Sequence, residues 1–249
     1  MELKILSFNI HKGMSWHSRH PTLPELRQLI RQSGADLVFL QEVHGQNERN
    51  RERMHEDFES QYEFLADEIW QHYCYAKNAG YDHGHHGNVI LSKFPILEWH
   101  KQDISTNTWE QRGVLSAKIS LMTPDKAILQ AYCVHLNLFS RSRLCQYDML
   151  EKKIMSESDP AMPLILAGDF NDWNRQAQKT LEKNLQIQDC HKMTHGQYAK
   201  TFPALLPLIA LDRIYVKNVV VTHAQTLKHV GISDHLPLMA NIALSSEVP

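Results

Sequence analysis

The stretch that most constrains this chain is Leu164-Ile165-Leu166-Ala167-Gly168-Asp169-Phe170-Asn171. An apolar run of strand character ends in a carboxylate, and a carboxamide follows two residues later. A continuous apolar strand belongs in an interior covered on both faces. Such a strand delivers its last side chains to the rim of the sheet, where open α/β folds bind ligands. Side chains of an extended chain alternate with period two, so Asp169 and Asn171 are expected on one face. A carboxylate beside an amide can hold a water and contact a phosphate oxygen. Taken alone, Gly-Asp-Phe-Asn also reads as a strand closed by an Asx turn. The site reading gains its weight from recurrence.

Five further stretches follow the same design. They bring Asn9 after Leu3–Phe8, Glu42 after Leu37–Gln41, and His135 with Asn137 in the strand Ala127–Leu138. Asp212 lies in Leu211–Val216, and Asp234 with His235 precedes the last strand, Leu236–Leu244. Each alone has an ordinary explanation: a turn cap, an exposed strand end, a satisfied core histidine. Together they make hard-oxygen ligands, two histidines, amide donors and spare carboxylates, with no nucleophilic Ser or Cys. That inventory suits attack of water on a phosphoester, where a site must neutralise charge, orient the water and stabilise developing charge. Carboxylate with amide oxygen favours Mg²⁺, with Mn²⁺ as its substitute, over Zn²⁺. A histidine oriented by an aspartate is a tunable acid or base near neutral pH.

The 249 residues show no repeat, low-complexity run or linker, so a single domain spanning 1–249 is expected. The opening reads strand, helix, strand. Thr22 can cap that helix with Glu25 reaching back, Leu26, Leu29 and Ile30 form its apolar stripe, and Ser33-Gly34 ends it. A second helix is expected over Phe58–Trp70, a third capped by Ser140, and a polar one over Asn174–Leu185, with a loop at Asn78–Gly87 and a turn at Thr123–Lys126. The later strands have few helices between them and need antiparallel pairing. A mixed sheet, or two stacked sheets with helices outside, satisfies both halves. Net charge is −2, which provides no global field for nucleic acid. The mixed run Arg49–Arg53 reads as a solvated face. Four scattered cysteines form no C-x-x-C, and no apolar run is long enough to span a bilayer, so a reducing, cytoplasmic setting is expected.

The motifs Ser7-Phe8-Asn9-Ile10, Leu40-Gln41-Glu42-Val43, Gly87–Lys93, Val134-His135-Leu136-Asn137, Gly168–Asn171, Leu211-Asp212-Arg213-Ile214 and Ser233–Leu238 come in a fixed order over nearly the whole chain. The set resembles that of the endonuclease/exonuclease/phosphatase, or deoxyribonuclease I-like, superfamily, in its short single-domain bacterial branch. The resemblance implies a four-layer α/β sandwich: two mixed β-sheets face to face, helices outside, the site at one sheet edge. It implies metal ligation by Glu42 with Asn9 beside it and Asp234 on the metal side. It implies that Asp169 positions the attacking water, with Asn171 beside the phosphate. His135 would stabilise the pentacovalent phosphate, and His235, oriented by Asp212, would be the catalytic histidine. Arg112, Asn88, His86 and Asn137 are expected near the phosphate.

The resemblance leaves the substrate open among nucleic acid, a phospholipid headgroup and a small phosphodiester, and a monomer is expected. The chain has His44 where the deoxyribonuclease branch has an arginine. It has Pro207-Leu208-Ile209-Ala210 where abasic endonucleases place a tryptophan. Two rival readings stand beside the Mg²⁺-dependent phosphodiesterase. One is a zinc-dependent hydrolase using Asp82-His83-Gly84-His85-His86. The other is a non-catalytic phosphate-binding protein on the same fold.

Overall fold

A computed structural model describes residues 1–17, 20–47, 60–81, 84–123, 127–229 and 231–244. The elements in order are β1 (Glu2–Asn9), α1 (Leu23–Ser33), β2 (Leu37–Asn47), α2 (Gln61–Ala66), β3 (His72–Tyr81), β4 (Gly84–Ser92), β5 (Ile96–Asp103) and β6 (Gly113–Ser120). There follow β7 (Ile128–His135), α3 (Ser140–Glu157), β8 (Leu164–Asp169), β9 (Gln188–Asp189), α4 (Cys190–His195), β10 (Asp212–Lys217), β11 (Val219–Thr226) and β12 (Leu238–Leu244). A helical segment, Gln178–Glu182 running into Lys183–Leu185, stands between β8 and β9.

The strands form two six-stranded sheets, ordered β11-β12-β1-β2-β4-β3 and β5-β6-β7-β8-β10-β9. Only β1–β2 and β7–β8 pair in parallel among these neighbours, so both sheets are mixed. The inner cluster draws on both sheets, with Leu3, Ile5, Leu37 and Phe39 facing Leu129, Ala131, Ile165 and Ile214. On the outside, Leu6, Phe8, Val38 and Leu40 pack under α1 and α2. Val134, Leu164, Leu166 and Tyr215 pack under α3 and the 178–185 segment. This is the expected four-layer sandwich. No helix among the described residues is long and apolar enough to cross a membrane.

Period two then decides where the polar strand ends point. In β1 the odd residues Leu3 and Ile5 are inner, so Asn9 continues the inner row. The same parity puts His135 behind Leu129, Ala131 and Cys133, Asp169 behind Ile165 and Ala167, and Asp212 ahead of Ile214 and Val216. The polar cluster is therefore the open end of the core between the sheets.

Local details differ from expectation. Asp212 begins its strand; it reaches the cluster because β10 runs antiparallel to β8 with Asp212 opposite Asp169. Strand β7 stops at His135, leaving Asn137 in the following loop. Thr22 precedes α1 without a side-chain cap; its hydroxyl donates to the Ile232 carbonyl at 2.8 Å. Ser140 lies inside α3, where its Oγ accepts from Arg143. The helix expected over 58–70 is confined to Gln61–Ala66 among the described residues, capped by Ser60. The expected loop at 78–87 is the β3–β4 hairpin, with Tyr81 opposite Gly84. Arg49–Arg53, Asp82 and His83, and 124–126 of the expected turn lie outside the described residues.

Candidate active site

Asp169 is the hub of the cluster. Its Oδ2 accepts from Asn9 Nδ2 at 3.0 Å, a bond that joins the two sheets. The same oxygen lies 3.5 Å from His135 Nε2 and 3.8 Å from His235 Nε2. Its Oδ1 accepts from the Asn171 backbone N–H at 3.0 Å. Asn171 has φ +50°, so Asp169 and Asn171 are not successive same-face residues of one strand. They are joined by an Asx turn, and Asn171 Nδ2 donates to the Leu136 carbonyl at 2.9 Å. The sequence offered the alternation and the turn as alternatives, and the turn is what forms. Gly168 makes the approach possible: a Cβ there would sit 1.9 Å from the Val134 carbonyl oxygen, and its φ is +148°.

Asp212 Oδ2 and His235 Nδ1 lie 2.8 Å apart, both side chains almost wholly buried. Asp212 Oδ1 has no hydrogen-bond partner among the described residues. One ligand atom from each of Asp169, Asp212 and His235 falls within 4.8 Å of the others. Burial alone pulls the His235 imidazole down, but the carboxylates of Asp212 and Asp169 outweigh it and push it up to about 10. Burial pushes Asp169 up to about 6, against the pull of His235 and with the help of Asp212. His135 is held well below the ordinary histidine value by burial, then by Arg112 and His235. At neutral pH the site thus holds one imidazolium and one neutral imidazole.

Glu42 arrives by a different route. Residues 38 and 40 are on the outer face of β2, and so is 43, so one extra residue sits between them. The β2–β4 register shifts there, and Glu42 has φ +58°. This is a β-bulge at the rim. It leaves Glu42 half-buried beside Gln41, the partner of Asn9 across β1–β2. No hydrogen bond or ion pair holds its carboxylate among the described residues. Asn9 Oδ1 accepts from the His11 backbone N–H. Asp234 stands apart from the hub, 3.6 Å from His11 Nδ1.

The remaining expected residues divide. Arg112 is near enough to depress His135 and His86, and its guanidinium pairs with Glu110 at 3.5 Å. Burial, then Lys12 and His44, hold His86 down at about 3. Asn88 is wholly buried, and its amide donates to the Gly113 and Cys133 carbonyls, so it braces the two sheets. Asn137 caps its own loop, with Oδ1 accepting from Phe139 N. In the zinc reading His85 and His86 are strand residues; His85 Nδ1 lies 2.8 Å from the Tyr75 hydroxyl. Lys12 and His44 border the site; the sequence marked His44 only as a departure from the deoxyribonuclease branch and Lys12 not at all. The signal was position alone: each lies within three residues of an expected ligand.

The model of the endonuclease/exonuclease/phosphatase family matches residues 6–235. The chain belongs to that family. It is 41% identical over 247 residues to the Escherichia coli (strain K12) protein YbhP, covering 97% of this chain and 96% of the relative. Its fold is similar to an endonuclease/exonuclease/phosphatase from Bacteroides vulgatus, with a TM-score of 0.78 and 19% identity, covering 98% of this chain and all of that one. It is also similar to the mannosyl-6-phosphatase Bt3783 of Bacteroides thetaiotaomicron, with a TM-score of 0.71 and 17% identity, covering 97% of this chain and 100% of that one.

Proposed function

We propose that this protein is a Mg²⁺-dependent phosphoester hydrolase, most simply a phosphodiesterase, that directs water at phosphorus. The observation that carries the reading is the Asp169 hub, with Asn9, His135 and His235 converging on one carboxylate oxygen and Asp212 behind His235. Asp169 orients the water and receives its proton as the water oxygen bonds to phosphorus and the phosphorus–oxygen bond to the leaving group breaks. His235, kept protonated by Asp212, presents a positive Nε2–H to the oxygens on which charge grows. Neutral His135 donates a hydrogen bond to the same oxygens, and Arg112 adds positive charge at the edge.

The donors suit a hard divalent cation. Among the described residues the half-buried Glu42 carboxylate has no hydrogen bond or ion pair, and Asp212 keeps a buried oxygen without a partner. Glu42 with Asn9 would hold such an ion, Asp234 would add negative charge nearby, and the ion would neutralise phosphate charge.

The test is hydrolysis of bis-p-nitrophenyl phosphate by wild type and Asp169→Asn, with Mg²⁺, Mn²⁺ or EDTA. Wild-type activity should need metal, and the variant should lose roughly 10²–10⁴-fold in kcat. Equal turnover by the variant, or activity untouched by EDTA, would refute the assignment.

A further inference from the structure

The large apolar side chains exposed on this molecule concentrate at one place. Among the described residues, seven of the eighteen stand on loops at the open end of the sandwich, around the Asp169 hub. The loop after β7 carries Leu138 and Phe139, the latter 68% exposed. The loop after β8 carries Trp173. The hairpin ahead of β10 carries Leu205, Leu206 and Leu208, with Leu205 74% exposed. Trp109, 93% exposed, stands on the loop that leads to Arg112.

These tips are fixed to the site. The buried Arg143 donates to the Leu138 carbonyl at 2.5 Å and to Asn174 Oδ1 at 3.2 Å, and its guanidinium lies 4.4 Å from the Trp173 ring. One side chain therefore locks two of the loops together. The hairpin is closed by the Phe202–Ile209 bridge, and Ala204 N donates to the Asp234 carbonyl at 2.7 Å. The Phe202 ring is 5.1 Å from the His235 ring. The hairpin that carries Leu205 and its neighbours is thus tied to the loop of the candidate catalytic histidine.

A monomer seldom gathers so many exposed apolar side chains at one end without a use for them. Here the surface rings the mouth of a polar phosphoester site, so whatever covers it must also present the phosphoester. Nucleic acid fits poorly: the most prominent hairpin tip, Leu205, Leu206 and Leu208, is aliphatic and offers no ring for a base to stack on. A lipid surface fits better. Leucine and phenylalanine enter the apolar layer, tryptophan prefers its boundary, and the exposed Arg141 and Lys200 beside these tips meet anionic headgroups. We propose that this end of the molecule seats on an anionic phospholipid bilayer, and that the substrate is a phosphoester at the headgroup level of a membrane lipid. The substrate half rests on the hydrolase reading above; the seating does not.

The test is flotation of the full chain with phosphatidylcholine vesicles containing about one quarter phosphatidylglycerol, in EDTA so that no chemistry intervenes. Wild type should float, and its tryptophan emission should shift to the blue. Leu205→Ser/Leu206→Ser, and separately Phe139→Ser, should lower the partition coefficient, the double variant by roughly tenfold or more, the scale set by keeping two isobutyl groups out of the apolar phase. Met155→Ser, equally exposed on the outer face of α3, should bind as wild type does. Wild type that stays unbound while hydrolysing the soluble diester would overturn the proposal and spare the hydrolase reading. So would a double variant that floats as well as wild type, or binding of a single-stranded oligonucleotide in place of vesicles. Loss of soluble-diester hydrolysis with vesicle binding intact would instead overturn the hydrolase reading and the substrate half with it.

Discussion

At the residue scale the informative group is His235, a buried imidazole between two carboxylates. Its folded value, pushed up to about 10, lies above the ordinary 6.5. The stabilisation it draws from Asp212 and Asp169 is therefore complete below 6.5 and is lost as pH rises through 10. Asp169, raised by its burial to about 6, ionises on the other side of neutrality. The site titrates as a coupled unit, so the pair of limbs belongs to the cluster. The expected kcat/KM profile rises through about pH 6 and falls toward pH 10. Asp212→Asn removes the carboxylate that keeps His235 charged, so the alkaline limb should move to lower pH while kcat drops. An alkaline limb that stays in place in Asp212→Asn would remove His235 from that role. The sequence carried the residue identities but not these charge states, which arise from how completely the strand ends are buried against one another.

At the element scale, strand periodicity carried most of the fold. The inner-face rows of β1, β7, β8 and β10 are continuous in the sequence, and each runs into Asn9, His135, Asp169 or Asp212. What the sequence hid were the places where periodicity breaks. Glu42 follows the outer residues Val38 and Leu40 and would face outward but for the bulge, which no local residue type announces. The β3–β4 hairpin was concealed by glycines and histidines that read as loop, Thr22 offered a cap that a tertiary partner took over, and Ser140 falls inside α3, where its Oγ accepts from Arg143 of the same helix. Gly168 is the break with the sharpest consequence. Its Cβ would overlap the Val134 carbonyl where β7 and β8 meet in parallel, and its backbone already lies where other residues are strained. Gly168→Ala should cost roughly 3 kcal/mol or more. Thermal melting should show a fall of roughly ten degrees, at 2–4 °C per kcal/mol for a chain of this size. A melting point within two degrees of wild type would mean that the strands separate at little cost.

At the scale of the whole molecule, the site is where the two sheets are tied at their open end. Asn9 of the first sheet donates to Asp169 of the second, and Ser233 donates back to the Asn9 carbonyl at 2.8 Å. Glu42 belongs to the first sheet, while Asp169 and Asp212 belong to the second. A cation held by Glu42 with Asn9, whose side chain ties the two sheets through Asp169, would stabilise the folded state, so global unfolding should report its binding without any substrate present. A ligand at a hundredfold excess over its Kd stabilises the folded state by about 2.7 kcal/mol. For a chain of this length that is a rise of roughly 5–11 °C in Tm. Wild type titrated with MgCl₂ or MnCl₂ should show that rise and lose it in EDTA. Glu42→Ala should start from its own melting point and rise little, because an oxygen ligand is gone while the fold's apolar layers are untouched. Asp169→Asn keeps an oxygen at its position and should retain most of the rise while failing at hydrolysis. An equal rise in Glu42→Ala and wild type would place the ion elsewhere on the molecule. Absence of a rise with either metal would argue that this open end binds no cation tightly enough to stabilise the fold.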